Sequence, residues 1–401
     1  MTPPAQSQAG SPLEVLRAFA KLGITCFGGP IAHMGYFRHE FVVRRRWLDE
    51  PAYADLLGLC QFLPGPASSQ IGFSLGLMRA GYLGGLAAWA GFTLPSAILL
   101  VLFAFLRPAL QGSIGLGVLH GLKLVAVAIV AQAVWNMARA LCPDWQRAFI
   151  AGMAALIVLL NASSAAQIAA IAFGGIGGFW LCRAGPATPI THLAIPVSRV
   201  VGFAALAVFC VLLGGMPVLY SFTSSQGIAL FDAFYRSGAL VFGGGHVVLP
   251  LLHDAVVAPR WVSDDAFLAG YGAAQAVPGP LFTFAAYLGT VVSISPHGVP
   301  GAIVSLIAIF VPGLLLLVGA LPFWQDFRRH LSARAIMRGV NASVVGLLAA
   351  ALYDPLWRNA VHTVEDIALA LVGFLSLTIW RLAPWAVVVL LAAAGALFAS
   401  I

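Results

Sequence analysis

Two tripeptides, Pro64-Gly65-Pro66 and Pro278-Gly279-Pro280, each stand three positions after a glutamine, Gln61 and Gln275. Both lie in apolar, helix-forming surroundings. Proline lacks an N–H and glycine admits unusual backbone angles. A helix running from about Ala52 must therefore stop near Leu63. A second can start near Pro66, because proline suits a first helical turn. The N–H groups of Ala67, Ser68 and Ser69 then have no carbonyl one turn back and point into the break. The positive end of the helix dipole makes that point favourable for an anion. Leu281, Phe282 and Thr283 repeat the arrangement after the second tripeptide. One such kink alone reads as packing. Two in matching positions of two halves point to a transport site.

Further residues attach to these breaks. The clusters Phe27-Gly28-Gly29-Pro30 and Phe242-Gly243-Gly244-Gly245 suit either close helix packing or the lining of a site. Lys21 and Arg236 hold equivalent places one or two turns earlier. A charge inside a membrane segment is costly and usually functional, so both cations are expected to draw in an anion, with snorkelling to the interface as the alternative. His33 and His246 can carry protons near neutral pH, or equally serve as ordinary interfacial histidines. Asp49, Glu50, Ser263, Asp264 and Asp265 sit where helix N-caps belong. Arg44, Arg45 and Arg46 read mainly as a topology signal, and secondarily as a collector of anions at an inner mouth.

No catalytic constellation is present: no His-Glu-x-x-His, no Gly-x-Ser-x-Gly, no Walker loop. The chain is not expected to be an enzyme or to drive transport with ATP. Five cysteines (Cys26, Cys60, Cys142, Cys182, Cys210) are isolated in or beside apolar segments, which indicates neither a metal site nor a disulfide framework. No cofactor is expected, and an intramembrane reductase would lack both cofactor motif and paired thiols.

The elements that must position these residues are membrane helices. Charged residues are 9% of the 401, against roughly 25% in a soluble domain, and 61% are hydrophobic. Apolar runs such as Leu83–Leu106, Ile150–Leu160 continuing past Asn161, Val197–Met216, Ala302–Pro322 and Trp385–Ile401 recur along the chain. About 12 or 13 helical segments result, some short or interrupted, with no separate soluble domain. The net charge of +7 fits basic cytoplasmic loops better than nucleic acid. Met1 to Pro12 holds no Lys or Arg, so no cleaved signal peptide is expected.

The segments fall into two copies of one unit. Arg46-Trp47 answers Arg260-Trp261, and Trp47 stands 14 positions before Gln61 as Trp261 does before Gln275. Phe92-Thr-Leu-Pro95 echoes Phe310-Val-Pro312, and His120-Gly121 echoes Arg338-Gly339. The expected division is a polar tail (residues 1–10), a first repeat (11–184), a linker with one extra transmembrane helix (185–226) and a second repeat (227–401). The extra crossing lets the second copy enter from the opposite face. Charge agrees: Arg38, Arg44, Arg45 and Arg46 load an early loop of the first copy, and Arg328, Arg329, Arg334 and Arg338 a later loop of the second. The expected fold is thus an all-α polytopic membrane protein of two inverted-topology repeats with paired broken helices.

The stretches Phe27-Gly-Gly-Pro-Ile-Ala-His33, Arg45-Arg-Trp-Leu-Asp-Glu50 and Gln61-Phe-Leu-Pro-Gly-Pro-Ala-Ser-Ser-Gln70 resemble the chromate ion transporter family. So do Phe242-Gly-Gly-Gly-His246 and Gln275-Ala-Val-Pro-Gly-Pro280. The resemblance covers essentially the whole chain, as in long two-domain bacterial members. It implies a multi-pass protein of the bacterial inner membrane that exports chromate by secondary transport and confers chromate resistance. The membrane potential, a proton gradient or both would drive it. Sulfate or another tetrahedral oxyanion is the alternative cargo. The implied partners are that anion, the lipid bilayer and, in a homodimer, a second copy; nucleic acid is not among them.

Overall fold

Among the described residues, regular structure is helical throughout. The computed structural model describes residues 10–110, 112–161, 163–182, 197–242, 245–324 and 330–399, less the side chains of Pro30, Ile31 and Ser164. Gly243 and Gly244, much of the linker, Arg328, Arg329 and Ile401 lie outside the described residues.

The first repeat starts with α1 (Pro12–Thr25), a break at residues 26–28, and α2 (Gly29–Phe37), which continues as a π-helical stretch to Arg44. This pair folds back on itself. Phe19 stacks on Phe41 at 4.8 Å and meets Phe37 edge-on at 5.6 Å, and Arg45 returns to within 4.0 Å of Glu14. Next come α3 (Glu50–Phe62), the Pro-Gly-Pro tip and α4 (Ala67–Leu106). As expected, Asp49 caps α3 through the Ala52 N–H, the helix ends against Leu63, and α4 begins after Pro66. Inside α4, Ala80 and Gly81 leave helical geometry, with φ of +64° at Gly81. The helix therefore folds into two arms, and the approach of Gly76 to Gly84 packs them together. The first arm returns to its start: the Arg79 guanidinium lies 5.3 Å over the Trp47 ring. Both hairpins enter and leave on one face. With 13 residues, α3 rises about 20 Å, short of the roughly 30 Å hydrocarbon core. The broken segments are re-entrant.

The second repeat does the same from the other side. It comprises α9 (Gln226–Ala239), α10 (Val248–Val256), α11 (Asp264–Ala274) and α12 (Phe284–Val291). Ser293 donates its N–H to the Trp261 carbonyl (2.9 Å), and the Tyr287 hydroxyl to the Ala266 carbonyl (2.9 Å). α11 and α12 are thus antiparallel arms. Arg46 and Arg260, matching residues before the two tryptophans, both adopt positive φ.

Long helices link the two faces. Among the described residues, five helical stretches are long and apolar enough to cross a membrane: Ala67–Ala109, Ser113–Leu141, Arg199–Thr223, Gly298–Phe323 and Leu331–Ala360. The first contains the folded-back arm, so its crossing part is the second arm of α4. That arm brings Phe103 to 5.7 Å from Tyr287, beside the feet of the second repeat. In return α13 (Gly298–Ala320) leads to Trp324, which reaches Asp55 in the first. The hairpins of the two copies enter from opposite faces, so the repeats are inverted.

The remaining helices are exchanged between copies. α5 (Ser113–Leu141) packs on α15 (Val364–Thr378) and α16 (Pro384–Phe398) of the second repeat, with Gly117 against Gly395 and Gln132 donating to the Leu377 carbonyl. α14 (Leu331–Ala351) packs on α6 (Trp145–Leu160) and α7 (Ser164–Leu181) of the first, with Gly339 against Gly174 and Gly178. Small residues allow this close approach where lipid offers no hydrophobic drive. The expected run past Asn161 is corrected here. α6 ends at Leu160, and Ser163 caps a separate α7 by accepting from the Ala166 N–H. The additional helix is α8 (Arg199–Thr223), packed on α9 and α13.

Candidate functional site

Four chain breaks meet where the hairpin tips converge. Gly65, centre of the first Pro-Gly-Pro, donates its N–H to the Val241 carbonyl at 2.7 Å. Gly279, centre of the second, donates to the Cys26 carbonyl at 2.9 Å. Val241 and Cys26 are matching positions, each just before the phenylalanine of a glycine cluster. Each tripeptide is therefore tied to the glycine-cluster break of the other copy. A Cβ added to Gly29 would stand 3.8 Å from His246 Nε2, which brings the first glycine cluster up to the histidine of the second copy.

Glycine is required at both tripeptide centres. Gly65 has φ of +119° and Gly279 of +99°. A Cβ on Gly65 would lie 2.8 Å from the Gly313 Cα, and one on Gly279 2.7 Å from Ser96 Oγ. Gly313 and Ser96 each follow the proline inside a long helix, Pro312 or Pro95. Gly28 and Gly29 also hold positive φ, at +100° and +76°, where the chain turns into α2.

Several helix starts face this junction. α4 begins at Ala67 with Pro66 at its cap and no side-chain cap, so the N–H groups of Ala67, Ser68 and Ser69 have no intrahelical acceptor. Ser68 and Ser69 are buried, and the Ser69 hydroxyl has no hydrogen-bond partner. In the second copy the start differs: Leu281–Thr283 form a 3-10 turn before α12, and the Thr283 hydroxyl donates to the Pro280 carbonyl at 2.8 Å. α2 starts at Gly29, with Pro30 in its first turn, and a 3-10 turn begins at Gly245. Partial positive charge at such termini favours an anion.

The histidines sit inside this assembly. His33 is 1% exposed, and neither ring nitrogen makes a well-aligned hydrogen bond, with the Cys26 backbone beside the ring. His246 Nδ1 pairs with the Tyr271 hydroxyl at 2.8 Å. Gln275 is half-buried, and its Nε2 atom is buried without a partner. Gln61 is exposed, with Nε2 3.7 Å from Met34 Sδ. Phe27 and Phe242 are half-buried, and Leu281 is buried.

The two cations are not brought to the junction. Lys21 shares the exposed side of α1 with Arg17 and Ile24, opposite buried Val15, Phe19 and Leu22. Arg236 pairs with Asp232 one turn earlier at 2.9 Å and donates to the Leu213 carbonyl of α8 at 3.0 Å. The expectation that both draw in an anion is corrected by this packing. The inward side of α1 is taken by the aromatic contacts with α2, and Arg236 already has a counter-ion.

Three contributors escaped the sequence reading. Gln70 Nε2 donates to the Pro64 carbonyl (3.0 Å) and to the Gly313 carbonyl (2.9 Å), pinning the first tip to α13. Its place five residues after Gly65 was a usable signal, since a buried amide there can reach back to the tip. Its counterpart in the second copy is Phe284, so only the first tip has this clamp. Tyr271, which orients His246, and Phe92, whose ring meets His33 edge-on at 5.2 Å, gave no local signal.

The charged surface is asymmetric. At the feet of the first hairpins, Arg45 and Arg79 flank Trp47 at 5.6 and 5.3 Å. Arg45 pairs with Glu40 at 2.6 Å and Arg79 with Glu14 at 3.2 Å. On that same face Arg147 pairs with Asp144, holding its carboxyl below the usual carboxylate range, and Arg338 donates to the Cys182 carbonyl at 3.2 Å. The opposite face carries His120 on Asp366 (2.6 Å) and His253 on Asp264 (2.8 Å).

The family model described as chromate transporter matches residues 13–179 and 228–396. A probable chromate transport protein of Synechococcus elongatus is 29% identical over 392 residues, 96% of this chain and 95% of that one. A chromate transport protein of Pseudomonas aeruginosa is 26% identical over 358 residues, 85% of this chain and 80% of that one. An uncharacterized transporter of Bacillus subtilis is 32% identical over 165 residues, which are 39% of this chain but 88% of that protein. No solved structure matches.

Proposed function

This chain belongs to the chromate transporter family, and from that premise we propose that it exports chromate from the bacterial cytoplasm by secondary transport, through a site where the four hairpin tips meet. The observation that carries the reading is the reciprocal pair of bonds from Gly65 to Val241 and from Gly279 to Cys26. It supports the reading because helix starts of both copies then stand beside the same pair of bonds. A tetrahedral oxyanion presents several acceptor oxygens, and unpaired N–H groups and hydroxyls are complementary to them.

The inverted repeats suit alternating access. Rocking one copy against the other opens the junction to one face at a time. Each tip-to-carbonyl bond contributes about 1 kcal/mol net, so the junction can be remade at modest cost. Orientation follows from the arginines: the face holding Arg38, Arg44, Arg45, Arg46, Arg79, Arg147 and Arg338 is cytoplasmic. α1 then starts from the cytoplasmic side.

The direction is energetically sound. Moving a dianion out of a negative interior gains about 4.6 kcal/mol per 100 mV. At about 150 mV this is roughly 7 kcal/mol, near 10⁵-fold in concentration. Such efflux would confer chromate resistance. Pro64→Ala combined with Pro278→Ala is expected to abolish chromate accumulation by inside-out vesicles while the protein still inserts. Normal accumulation by that variant would sink the site. Parallel vesicles given labelled sulfate decide between chromate and another tetrahedral oxyanion as the main cargo.

A further inference from the structure

The junction has to hold a dianion without a fixed cation. The tip segments, residues 26–30, 63–67, 240–247 and 275–284, contain no Lys, Arg, Asp or Glu. Lys21 is turned outward and Arg236 is paired with Asp232. Helix termini supply only about half a unit charge each, fading within one turn. An imidazole can supply a full charge, and the junction holds two. His246 is already engaged with Tyr271. His33 has at most the Cys26 backbone, whose carbonyl already accepts the Gly279 N–H: it is 1% exposed and neither nitrogen makes a well-aligned hydrogen bond, which is costly for a buried polar group unless a ligand completes it.

Its position points at the tips. The His33 ring packs edge-on to Phe92, and the backbone of Cys26 lies beside it. Both neighbours touch Gly279: the Cys26 carbonyl accepts its N–H, and the Phe92 carbonyl would lie 3.1 Å from a Cβ there. Titratable groups on the elements beside His33 are Cys26 at the break, the Tyr53 hydroxyl on α3, which donates to the carbonyl of Met34, the residue after His33, at 2.6 Å, and the His246–Tyr271 pair across the tips. None of them carries a fixed charge, and α4 offers His33 the uncharged Phe92.

We propose that the site takes up its oxyanion together with one proton, and that the imidazole of His33 is the proton-binding group. This rests on the reading of the junction as the anion site. The proton passes from water to a free ring nitrogen, no other bond changes, and the imidazolium donates to an oxyanion oxygen. Net charge moved per chromate falls from two to one when the proton travels with it.

The test is titration calorimetry on the purified full chain at pH 8, where chromate is a dianion, in two buffers of different ionisation enthalpy. The wild type is expected to take up about one proton per chromate bound and to bind about tenfold more weakly per unit rise in pH. His33→Gln is expected to take up close to none and to lose that pH dependence. Wild-type binding without proton uptake overturns the proposal by itself, whatever the variant does. So does uptake that survives His33→Gln and vanishes in His246→Gln. No wild-type binding of chromate or sulfate would overturn the anion site as well. Binding that is lost in the paired proline variant, yet proton-free in the wild type, would overturn only the role of His33.

Discussion

Replacing Gly65 by alanine tests the junction at its centre. The residue holds φ of +119°, outside the range alanine adopts without strain, which costs on the order of 1–3 kcal/mol. The new methyl would meet the Gly313 Cα at 2.8 Å and Gln70 Nε2 at 3.0 Å. The first neighbour is backbone and the second is anchored by two hydrogen bonds, so neither yields freely. Overpacking of this kind adds about 1–3 kcal/mol. The tip is therefore displaced at a cost of about 2–6 kcal/mol, and its bond to Val241 is strained with it. At about 1.4 kcal/mol per tenfold, transport should fall by roughly 30- to 20,000-fold. The assay is the initial rate of chromate accumulation in inside-out vesicles at fixed potential, scaled to inserted protein. Gly58→Ala is the internal control. Gly58 lies on α3 of the same hairpin, and a Cβ there meets nothing within 4 Å. Its rate should be unchanged. Wild-type transport by Gly65→Ala, or an equal loss in Gly58→Ala, would refute the claim that tip geometry governs the site.

Gln70→Leu should leave the Pro64 carbonyl without its donor and remove the tie to the Gly313 carbonyl, lowering stability by about 1–3 kcal/mol and shifting thermal unfolding downward. Phe284→Leu, at the matching position without a clamp, should shift it less, as thermal scans of the two variants side by side will reveal. For orientation, Glu50→Cys should react with a membrane-impermeant maleimide only from the cytoplasmic side and Glu365→Cys only from outside. Labelling of both from one side would contradict inverted repeats.

Much of the fold could be read from local chemistry. Pro64 and Pro66 dictated where α3 ends and α4 begins, and Asp49 and Ser263 announced the two hairpin feet. The matching spacings around Trp47 and Trp261 exposed the duplication, which the shared positive φ of Arg46 and Arg260 repeats in three dimensions. Hydropathy could not reveal re-entrance. A half-length apolar helix looks the same whether the chain goes on or turns back, and only the contact between Ser293 and Trp261 decides. Nor could it place Lys21 and Arg236, whose sequence equivalence hides different surroundings, an exposed helix side for one and Asp232 for the other.

What the sequence settled unaided is what acts within a turn or two of backbone: helix breaks, caps, composition, and the copying of one unit into two. Proline and glycine exert those effects on their immediate neighbours, wherever the rest of the chain goes. The site itself needed the tertiary structure. Gln70 and Gly313 are 243 positions apart, and their contact, like the bonds from Gly65 to Val241 and from Gly279 to Cys26, depends on the two inverted copies packing through each other. That packing also singles out His33, because burial and the lack of a well-aligned partner are properties of the surroundings a residue ends up in, which its own stretch of sequence does not contain.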